Sequence, residues 1–356
     1  MKDIRTYNKK QLQELTPDVL SNFNGEIPIT TPRINSFVNN PNINDDDILL
    51  IAYFKDNILA AYFGILPDFA NNGEKFYWNS GWRANNKIDK RAASIVFYKA
   101  LSLYGNKLML NHLTPHTKQI INSTKVFSDI RTLSGKKFFI KSVLSEIIIA
   151  KKPKLKPVKP LLNFADYSAN IILSLKRKTK SDNKISVEIL DNIDSHSELF
   201  INDIKSEFIN DSVKNINHSL KYKWLVTDNS FAIENKKYFF SLQTQIFESK
   251  ILKLSINKNI IAIFHIVNRN NNFKLYYSYF NQKFTSEIVK ELYIFLQKNN
   301  AKTFLSFDTV LNSELTKLKY LYIKDTIQYY TYSKQLEHIF NNSKKYQAGF
   351  GDVYYT

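Results

Sequence analysis

The residues with the most suggestive chemistry lie in a charged loop of sequence KIDKRAAS, which leads into a predicted helix over 91–104. Three cations precede two small residues there: Lys87, Lys90, Arg91, Ala93 and Ser94. A helix N-terminus offers free backbone N–H groups and the positive end of the helix dipole, so this arrangement can bind a phosphate group. The alternative is a solvated loop in front of a packed helix, and the residues alone leave both interpretations open.

Apolar periodicity predicts the elements that would position this loop. The predicted strands of the first half are 48–54, 58–66, 75–82, 107–113, 137–140 and 143–149. The predicted helices are 9–23 with an interruption at Thr16-Pro17, 33–38 with Thr31 as its cap, 91–104 and 115–127. Ser134-Gly135 is predicted to turn the chain between strands.

The same order of elements recurs in the second half, which predicts an internal repeat. The strands expected there are 185–190, 238–242, 251–256, 260–267, 273–280, 303–307 and 326–333, and the helices are 195–208, 286–298 and 313–321. We therefore predict an α/β (α+β) protein of two domains, each a mixed, mostly antiparallel sheet flanked by helices. The predicted boundaries are 1–150, a connecting segment 151–180, and 181–356.

The composition excludes several kinds of site. The chain has no cysteine, hence no disulfide, thiolate nucleophile or cysteine metal site. Its six histidines form no HxH or HExxH pair, so no metal site is predicted. The carboxylates Asp45–Asp47 could bind a metal or act as a base, but a solvated turn is favoured. The first residues lack a signal peptide's apolar region, and no apolar run reaches membrane-spanning length, so we expect a cytoplasmic protein.

The net charge of +18 suggests nucleic acid or an anionic membrane as a partner. Residues 151–180 contain nine of the basic residues and one acidic residue, and no known nucleic-acid-binding pattern accompanies them. Nucleic acid is therefore disfavoured. Residues 151–160 are predicted to be a proline- and lysine-rich linker. The amphipathic helix predicted at 161–180 either connects the domains, which is favoured, or lies on an anionic membrane surface.

Several segments together resemble the GCN5-related N-acetyltransferase (GNAT) superfamily, in the tandem two-domain form of bacterial relatives. In the first half they are NNPNINDDDILLIAY, AAYFGILPDFA, WNSGWRA, KIDKRAASIVFYKAL and HLTPHTKQIINSTKVF. In the second half they are HSLKYKWLV, KYFFSLQTQIFESKILKL, IIAIFHIVNRNNNFKLYYSYF and the tail GFGDVYYT. The resemblance covers most of the chain by order and spacing.

The resemblance implies an N-acyltransferase that uses acetyl-CoA or another acyl-CoA and a small-molecule amine acceptor, such as an amino sugar. It implies that a splayed strand offers its backbone to the pantetheine arm, and that the next loop binds the pyrophosphate. The implied cofactor-binding residues are Ser80, Gly81, Trp82, Lys87, Lys90, Arg91, Ala93 and Ser94. Tyr77 and His112 are the catalytic candidates, and Arg33, His116 and Asp308 are the substrate-binding candidates.

The phosphate loop departs from the family pattern Gln/Arg-x-x-Gly-x-Gly/Ala. If Lys90 or Arg91 occupies its first position, Ala93 or Ser94 stands where the first glycine belongs. Ile121 lies near the place of the family's usual acid, a tyrosine. The corresponding loop of the second half, NQKFTSE, has no glycine, so that domain is expected to be structural or to shape the acceptor site. A non-catalytic binding or scaffold protein is the alternative function.

Overall fold

The computed structural model describes residues 2–176, 184–204, 208–209, 213–340 and 345–351. The chain forms two compact units. Unit 1 consists of Met1–Leu133, Asp191–Phe247 and Gln328–Thr356, and unit 2 consists of Ser134–Leu190 and Glu248–Ile327. These units group the residues differently from the predicted boundaries at 150 and 181.

Twelve strands occur in the described residues. They are β1 Lys2–Tyr7, β2 Leu50–Lys55, β3 Ile58–Phe69, β4 Lys75–Ala84, β5 Leu108–Asn111, β6 Arg131–Phe139, β7 Ile185–Leu190, β8 Phe247–Ile256, β9 Asn259–Arg269, β10 Asn272–Phe280, β11 Thr303–Ser306 and β12 Tyr322–Tyr332.

The same part of the chain forms twelve α-helices. They are α1 Lys9–Gln13, α2 Pro17–Ser21, α3 Thr31–Val38, α4 Ala92–Tyr104, α5 Pro115–Thr124, α6 Leu144–Lys151, α7 Lys159–Lys176, α8 Ser195–Ile204, α9 Val213–Lys221, α10 Ala232–Lys237, α11 Thr285–Lys298 and α12 Thr309–Leu315.

The two units have sheets of matching strand order. In unit 1 the order is β1-β2-β3-β4-β5-β12, and in unit 2 it is β7-β8-β9-β10-β11-β6. Five consecutive strands of each half are thus followed by a sixth strand from the other half of the chain. This exchange is the reason that the compact units do not follow the predicted boundaries. Among the described strand pairings, β4 with β5 and β10 with β11 are parallel.

Many helix starts and strands of the first half are confirmed. Thr16 accepts a hydrogen bond from Val19 N–H, which begins α2 at Pro17 where the predicted helix was interrupted. The helix α3 starts one residue earlier than predicted, because Thr31 is helical and does not cap it. The Thr31 hydroxyl and N–H instead donate to the Glu234 carboxylate.

The region after residue 130 differs most from the prediction. Ser134-Gly135 lies inside β6 and makes no turn, and the predicted strand at 143–149 is helix α6. Asp166 explains the helix, because its carboxylate accepts hydrogen bonds from the N–H groups of Leu144 and Ser145 in the first turn of α6. A run of three isoleucines does not distinguish a helix from a strand by periodicity.

Three further predictions are corrected. The segment 151–160 is not an irregular linker, since Pro153–Val158 forms a 3-10 helix that leads into α7. The predicted strand at 238–242 falls outside the named strands, with Tyr238 only in an isolated bridge. The helix predicted at 313–321 is α12, which begins at Thr309 after the Asp308 cap. The predicted helix 161–180 is confirmed to Lys176, and residues 177–180 lie outside the described residues.

Gly64 in β3 allows the close approach of β4. A Cβ atom at Gly64 would overlap the backbone carbonyl oxygen of Ser80. This contact sits at a β-bulge, since the pairing steps from Phe63/Trp82 to Ile65/Asn79. Gly64 therefore determines where β4 can bulge.

We expect Gly64→Ala to lower the free energy of unfolding by about 1–3 kcal/mol, because backbone atoms must move to accept the methyl group. Chemical denaturation measures this loss. Gly105→Ala is the matched control, since its Cβ would only contact the Leu101 side chain at 3.8 Å. Equal stabilities of the two variants would contradict the assigned role of Gly64.

Candidate functional site

The strands β4 and β5 of unit 1 diverge. Their parallel pairing is confined to Tyr77 with Leu108 and Trp78 with Met109. Beyond Trp78, β4 continues to Ala84 without pairing to β5, while β3 still pairs with its other edge. The backbone groups of β4 from residue 79 to 84 thus face an opening between two neighbouring strands, where an extended ligand can hydrogen-bond to them.

A bulge at Ser80-Gly81 lies at the beginning of this opening. Gly81 has φ +82°, which is the left-handed region. Arg33 holds the bulge, because its Nη2 donates to the Ser80 carbonyl at 3.0 Å and to Ser80 Oγ at 2.9 Å. Its Nη1 donates to the Tyr238 hydroxyl at 2.7 Å, and its guanidinium lies 3.9 Å from the ring centroid of Trp224. Arg33, predicted to bind substrate, is buried and positions the strand.

The start of α4 follows β4 after the loop 85–91. The N–H groups of Ile95 and Ala92 bond to the carbonyls of Arg91 and Asp89. Those of Ala93 and Ser94 have no hydrogen-bond partner among the described residues. The side chains of Lys87, Lys90 and Arg91 are exposed around this helix start. These features fit the predicted phosphate site.

Asp89 is the one carboxylate of this loop and was missed in the sequence. It accepts hydrogen bonds from Arg91 N–H at 2.9 Å and from the Tyr53 hydroxyl at 2.9 Å. The hydrogen bond from Arg91, followed by that from Tyr53, lowers the pKa of the Asp89 carboxyl. The carboxylate shapes the loop just before α4, and it leaves the N–H groups of Ala93 and Ser94 free.

Two buried donors on the diverging part of β4 also lack partners within the described chain. They are the side-chain nitrogens Asn79 Nδ2 and Trp82 Nε1. The Trp82 ring stacks on Phe97 of α4 with centroids 4.8 Å apart. Burying a donor without a partner costs free energy, so such atoms are typical of a place where a ligand supplies the acceptor.

Tyr77, a predicted catalytic residue, belongs to the core between the sheet and α4. Its hydroxyl donates to Asp47 at 3.2 Å, and its ring stacks on Tyr104 at 3.9 Å. Burial, then the neighbouring Asp47 charge, raises the pKa of Tyr77. Asp47 is itself buried and pairs with Lys75 at 2.6 Å, so the acidic turn is solvated only at Asp45 and Asp46.

His112 follows β5 directly, and its side chain is exposed. Its φ of +52° is uncommon for a residue other than glycine, and such conformations are concentrated at functional sites. His112 therefore remains the stronger of the two catalytic candidates. His116 lies in the first turn of α5, and its side chain is outside what the structure describes.

The chain returns to this site near its end. Asn111 Nδ2 donates to the Phe350 carbonyl at 3.1 Å, and Phe350 is fully buried. A Cβ atom at Gly351 would lie 3.2 Å from the Trp78 ring. The segment 345–351 thus packs on Trp78 and Asn111, the residues at which β4 and β5 begin to diverge.

Unit 2 has a second pair of diverging strands. The pairing of β10 with β11 ends at Lys274/Leu305, and β10 bulges at Tyr276. Asp308, predicted to bind substrate, caps α12 by accepting from Leu311 N–H at 2.9 Å. Its second oxygen accepts from the Ser278 hydroxyl at 2.7 Å.

The opening between β10 and β11 differs from the opening between β4 and β5 in the charged residues beside it. Lys274, which the sequence analysis missed, lies on β10 within 4.5 Å of the Tyr276 ring centroid, and burial lowers its pKa to about 8. The sequence feature that could have identified Lys274 is a single lysine in the aromatic run FKLYYSYF. The start of α11 has only Lys283 nearby, whose N–H already bonds to the Asn281 side chain.

His265 of unit 2 makes stability depend on pH. Its Nε2 lies 2.7 Å from Ser249 Oγ, and burial lowers its pKa to about 3. The unfolded chain takes up this proton below about pH 6.5 whereas the folded chain does not, so stability is full above that pH and falls as the pH decreases.

We expect the lowered pKa of His265 alone to make the free energy of unfolding about 2 kcal/mol smaller at pH 5 than at pH 8. Denaturation of His265→Gln at both pH values should show a smaller difference than the parent. His218, with its pKa lowered to about 4 by burial, should add a pH dependence of the same sign. His196→Gln, an exposed control, should leave the difference unchanged, and an equal effect of the two variants would refute the assignment.

No protein-family model and no curated protein matches the sequence. Among solved structures, N-myristoyltransferase of Saccharomyces cerevisiae with bound myristoyl-CoA is similar at 13% identity and a TM-score of 0.50, over 93% of this chain and 78% of that chain. A tandem GNAT protein from the clavulanic acid biosynthesis pathway is 8% identical with a TM-score of 0.48, and the match covers 99% of this chain and 100% of that chain. A GCN5-related N-acetyltransferase from Anabaena variabilis is 7% identical with a TM-score of 0.47, over 93% and 72%.

The likeness to N-myristoyltransferase concerns the fold alone. The predicted fold class is confirmed. The chain therefore shares its fold with N-myristoyltransferase of Saccharomyces cerevisiae.

Proposed function

We propose that the chain transfers an acyl group from an acyl-CoA to an amine, and that unit 1 binds the acyl-CoA. The observation that supports this most directly is the opening between β4 and β5, which ends at a helix start with free N–H groups. The site supplies what the two parts of an acyl-CoA need. The extended arm needs backbone hydrogen-bond partners, and the diphosphate needs N–H donors and cations.

The residues present fit this group. The N–H groups of Ala93 and Ser94, with the side chains of Lys90 and Arg91, would hold the pyrophosphate. The backbone of β4 from Ser80 onwards would hold the pantetheine arm, and the unpartnered nitrogens of Asn79 and Trp82 would gain acceptors. When bound, an acyl-CoA supplies the activated thioester.

The protein must then accept a proton from the acceptor amine, and we assign this to His112. Imidazole accepts a proton at neutral pH, and the side chain is exposed at the end of β5. Tyr77 is not assigned, since its hydroxyl is committed to Asp47 in the core. The acceptor is proposed to be a small-molecule amine, with an amino sugar as one example.

We expect His112→Asn to lower kcat by about 100-fold while leaving acyl-CoA affinity unchanged, because only proton transfer is removed. Asparagine tolerates the left-handed backbone of this position, so the fold should persist. Release of free thiol from acyl-CoA in the presence of an amine measures kcat. An unchanged kcat would show that another group accepts the proton.

Calorimetric titration with acetyl-CoA, paired with the thiol-release assay over a panel of amines, tests the proposed function. Binding with amine-dependent thiol release is expected. Binding without release by any amine would favour the alternative of a non-catalytic binding protein. No binding at millimolar acetyl-CoA or longer acyl-CoA would overturn both the cofactor and the enzyme assignments.

A further inference from the structure

The helix α7 of unit 2 presents apolar side chains to solvent. Leu161, Phe164 and Tyr167 are exposed by 70%, 67% and 66%, and Ile171 and Ile172 by 44% and 54%. At about 100° per residue these side chains occupy one broad stripe along several turns of the helix. A stripe of this kind normally faces the core of a soluble protein.

Two polar side chains of the same helix, Asp166 and Asn170, face inward. Asp166 accepts hydrogen bonds from Ser142 Oγ and from the N–H groups of Leu144 and Ser145 at 2.5–2.9 Å. Asn170 accepts from Ser142 N–H at 2.7 Å. These bonds fix the rotation of α7 about its axis, so the outward direction of the apolar stripe is set by the fold.

Basic residues precede the stripe in the chain. The five lysines between α6 and the start of α7 are all exposed, and none has an ion pair within the described residues: Lys151, Lys152, Lys154, Lys156 and Lys159. Leu155 and Val158 are exposed between them, by 36% and 42%. The two acidic residues of the segment 144–176 are already engaged, Glu146 with Lys302 at 2.5 Å and Asp166 as described.

We propose that the segment 144–176 docks on an anionic lipid surface, with the α7 stripe in the headgroup region and the lysines against lipid phosphates. Aromatic and branched apolar side chains next to lysines form the pattern of helices that lie in a membrane interface. Each lysine near an anionic lipid surface strengthens the electrostatic attraction to it. The apolar side chains become buried among the lipid headgroups, and a nucleic acid would not bury them in this way.

The described helices include none long and apolar enough to cross a membrane. The proposed docking depends on ionic strength, because the charges act across water. It does not depend on acyl transfer, since it uses none of the residues assigned to the cofactor or to proton transfer.

Sedimentation of the full chain with vesicles tests this surface. We expect the protein to bind phosphatidylcholine–phosphatidylserine vesicles at least about tenfold more tightly than pure phosphatidylcholine vesicles. Two multiple variants should each lower binding to anionic vesicles by at least about tenfold. Phe164→Ser/Ile171→Ser removes apolar side chains that would be buried in the headgroup region. Lys152→Glu/Lys154→Glu/Lys156→Glu removes the electrostatic attraction to the lipid phosphates.

Two controls distinguish binding through this surface from non-specific adsorption to vesicles. Leu199→Ser/Ile233→Ser removes two apolar side chains exposed by 64% and 59% elsewhere, and Lys10→Glu/Lys223→Glu/Lys319→Glu makes the same charge change elsewhere. Both should leave vesicle binding within about twofold of the parent. Equal losses in the controls, or no preference for anionic vesicles, would overturn the proposal. A dimer that Phe164→Ser/Ile171→Ser dissociates, without vesicle binding, would also overturn it and assign the face to a second copy.

Discussion

Replacing Lys90 and Arg91 together by alanine is expected to weaken acetyl-CoA binding by about 100-fold to 10,000-fold. Each charge-assisted hydrogen bond to a phosphate contributes roughly 1.5–3 kcal/mol, and both cations lie at the α4 start beside the free N–H groups of Ala93 and Ser94. Both side chains are exposed, so the stability of the fold should change little. Calorimetric titration measures the loss.

Lys283→Ala/Lys290→Ala is the control, because it removes one cation just before the corresponding helix α11 of unit 2 and one within it. Its acetyl-CoA affinity should equal that of the parent. If the control loses affinity and the α4 variant does not, the cofactor binds unit 2. If neither changes, the phosphate site assigned to unit 1 is wrong.

Arg33→Ala should lower the free energy of unfolding by about 3–5 kcal/mol. The substitution removes hydrogen bonds to the Ser80 carbonyl, Ser80 Oγ and the Tyr238 hydroxyl, and it opens a cavity beside Trp224. Because these bonds hold the β4 bulge, acyl-CoA affinity should fall in the same variant. Denaturation and calorimetry measure the two effects.

Arg5→Ala provides the comparison. Arg5 also lies over an aromatic ring, at 4.5 Å from the Phe54 centroid, and pairs with Asp3 at 2.6 Å, but its side chain is half exposed. Exposed ion pairs contribute roughly 1 kcal/mol or less, so this variant should lose little stability and no affinity. A loss of stability in Arg33→Ala no larger than in Arg5→Ala would contradict the assigned role of Arg33.

The sequence predicted the elements around β4 well because they are specified locally. Apolar runs bounded by turn residues define β2 to β4, Thr16 with Pro17 begins α2, and the apolar spacing after Arg91 defines α4. The phosphate-binding interpretation followed from the charges at that helix start. None of these features depends on residues distant in the chain.

The errors arose where distant residues decide the structure. Asp166 caps α6 from 22 residues away, so the isoleucine run that reads as a strand becomes a helix. Arg33 contacts Tyr238 across 205 residues, and its burial could not be inferred from its neighbours in the sequence. The exchange of β6 and β12 between the halves is likewise a matter of tertiary pairing. Asp89 could have been found, since an aspartate that accepts from the backbone N–H two residues on is a common turn motif.

The inward-facing Asp166 and Asn170 also reverse the interpretation of α7. The sequence shows an amphipathic helix and favours docking its apolar face inside the protein. The hydrogen bonds to Ser142 and to the start of α6 direct that face outward instead. An anionic lipid surface is therefore our proposal for this face, and it is independent of the acyl-CoA assignment.

A crystal structure of the chain with coenzyme A tests the central assignment most directly. We predict the pantetheine arm between β4 and β5 and the pyrophosphate at the N–H groups of Ala93 and Ser94, with Lys90 and Arg91 contacting its oxygens. Coenzyme A bound in unit 2 between β10 and β11, or an empty opening between β4 and β5 at saturating coenzyme A, would contradict the account.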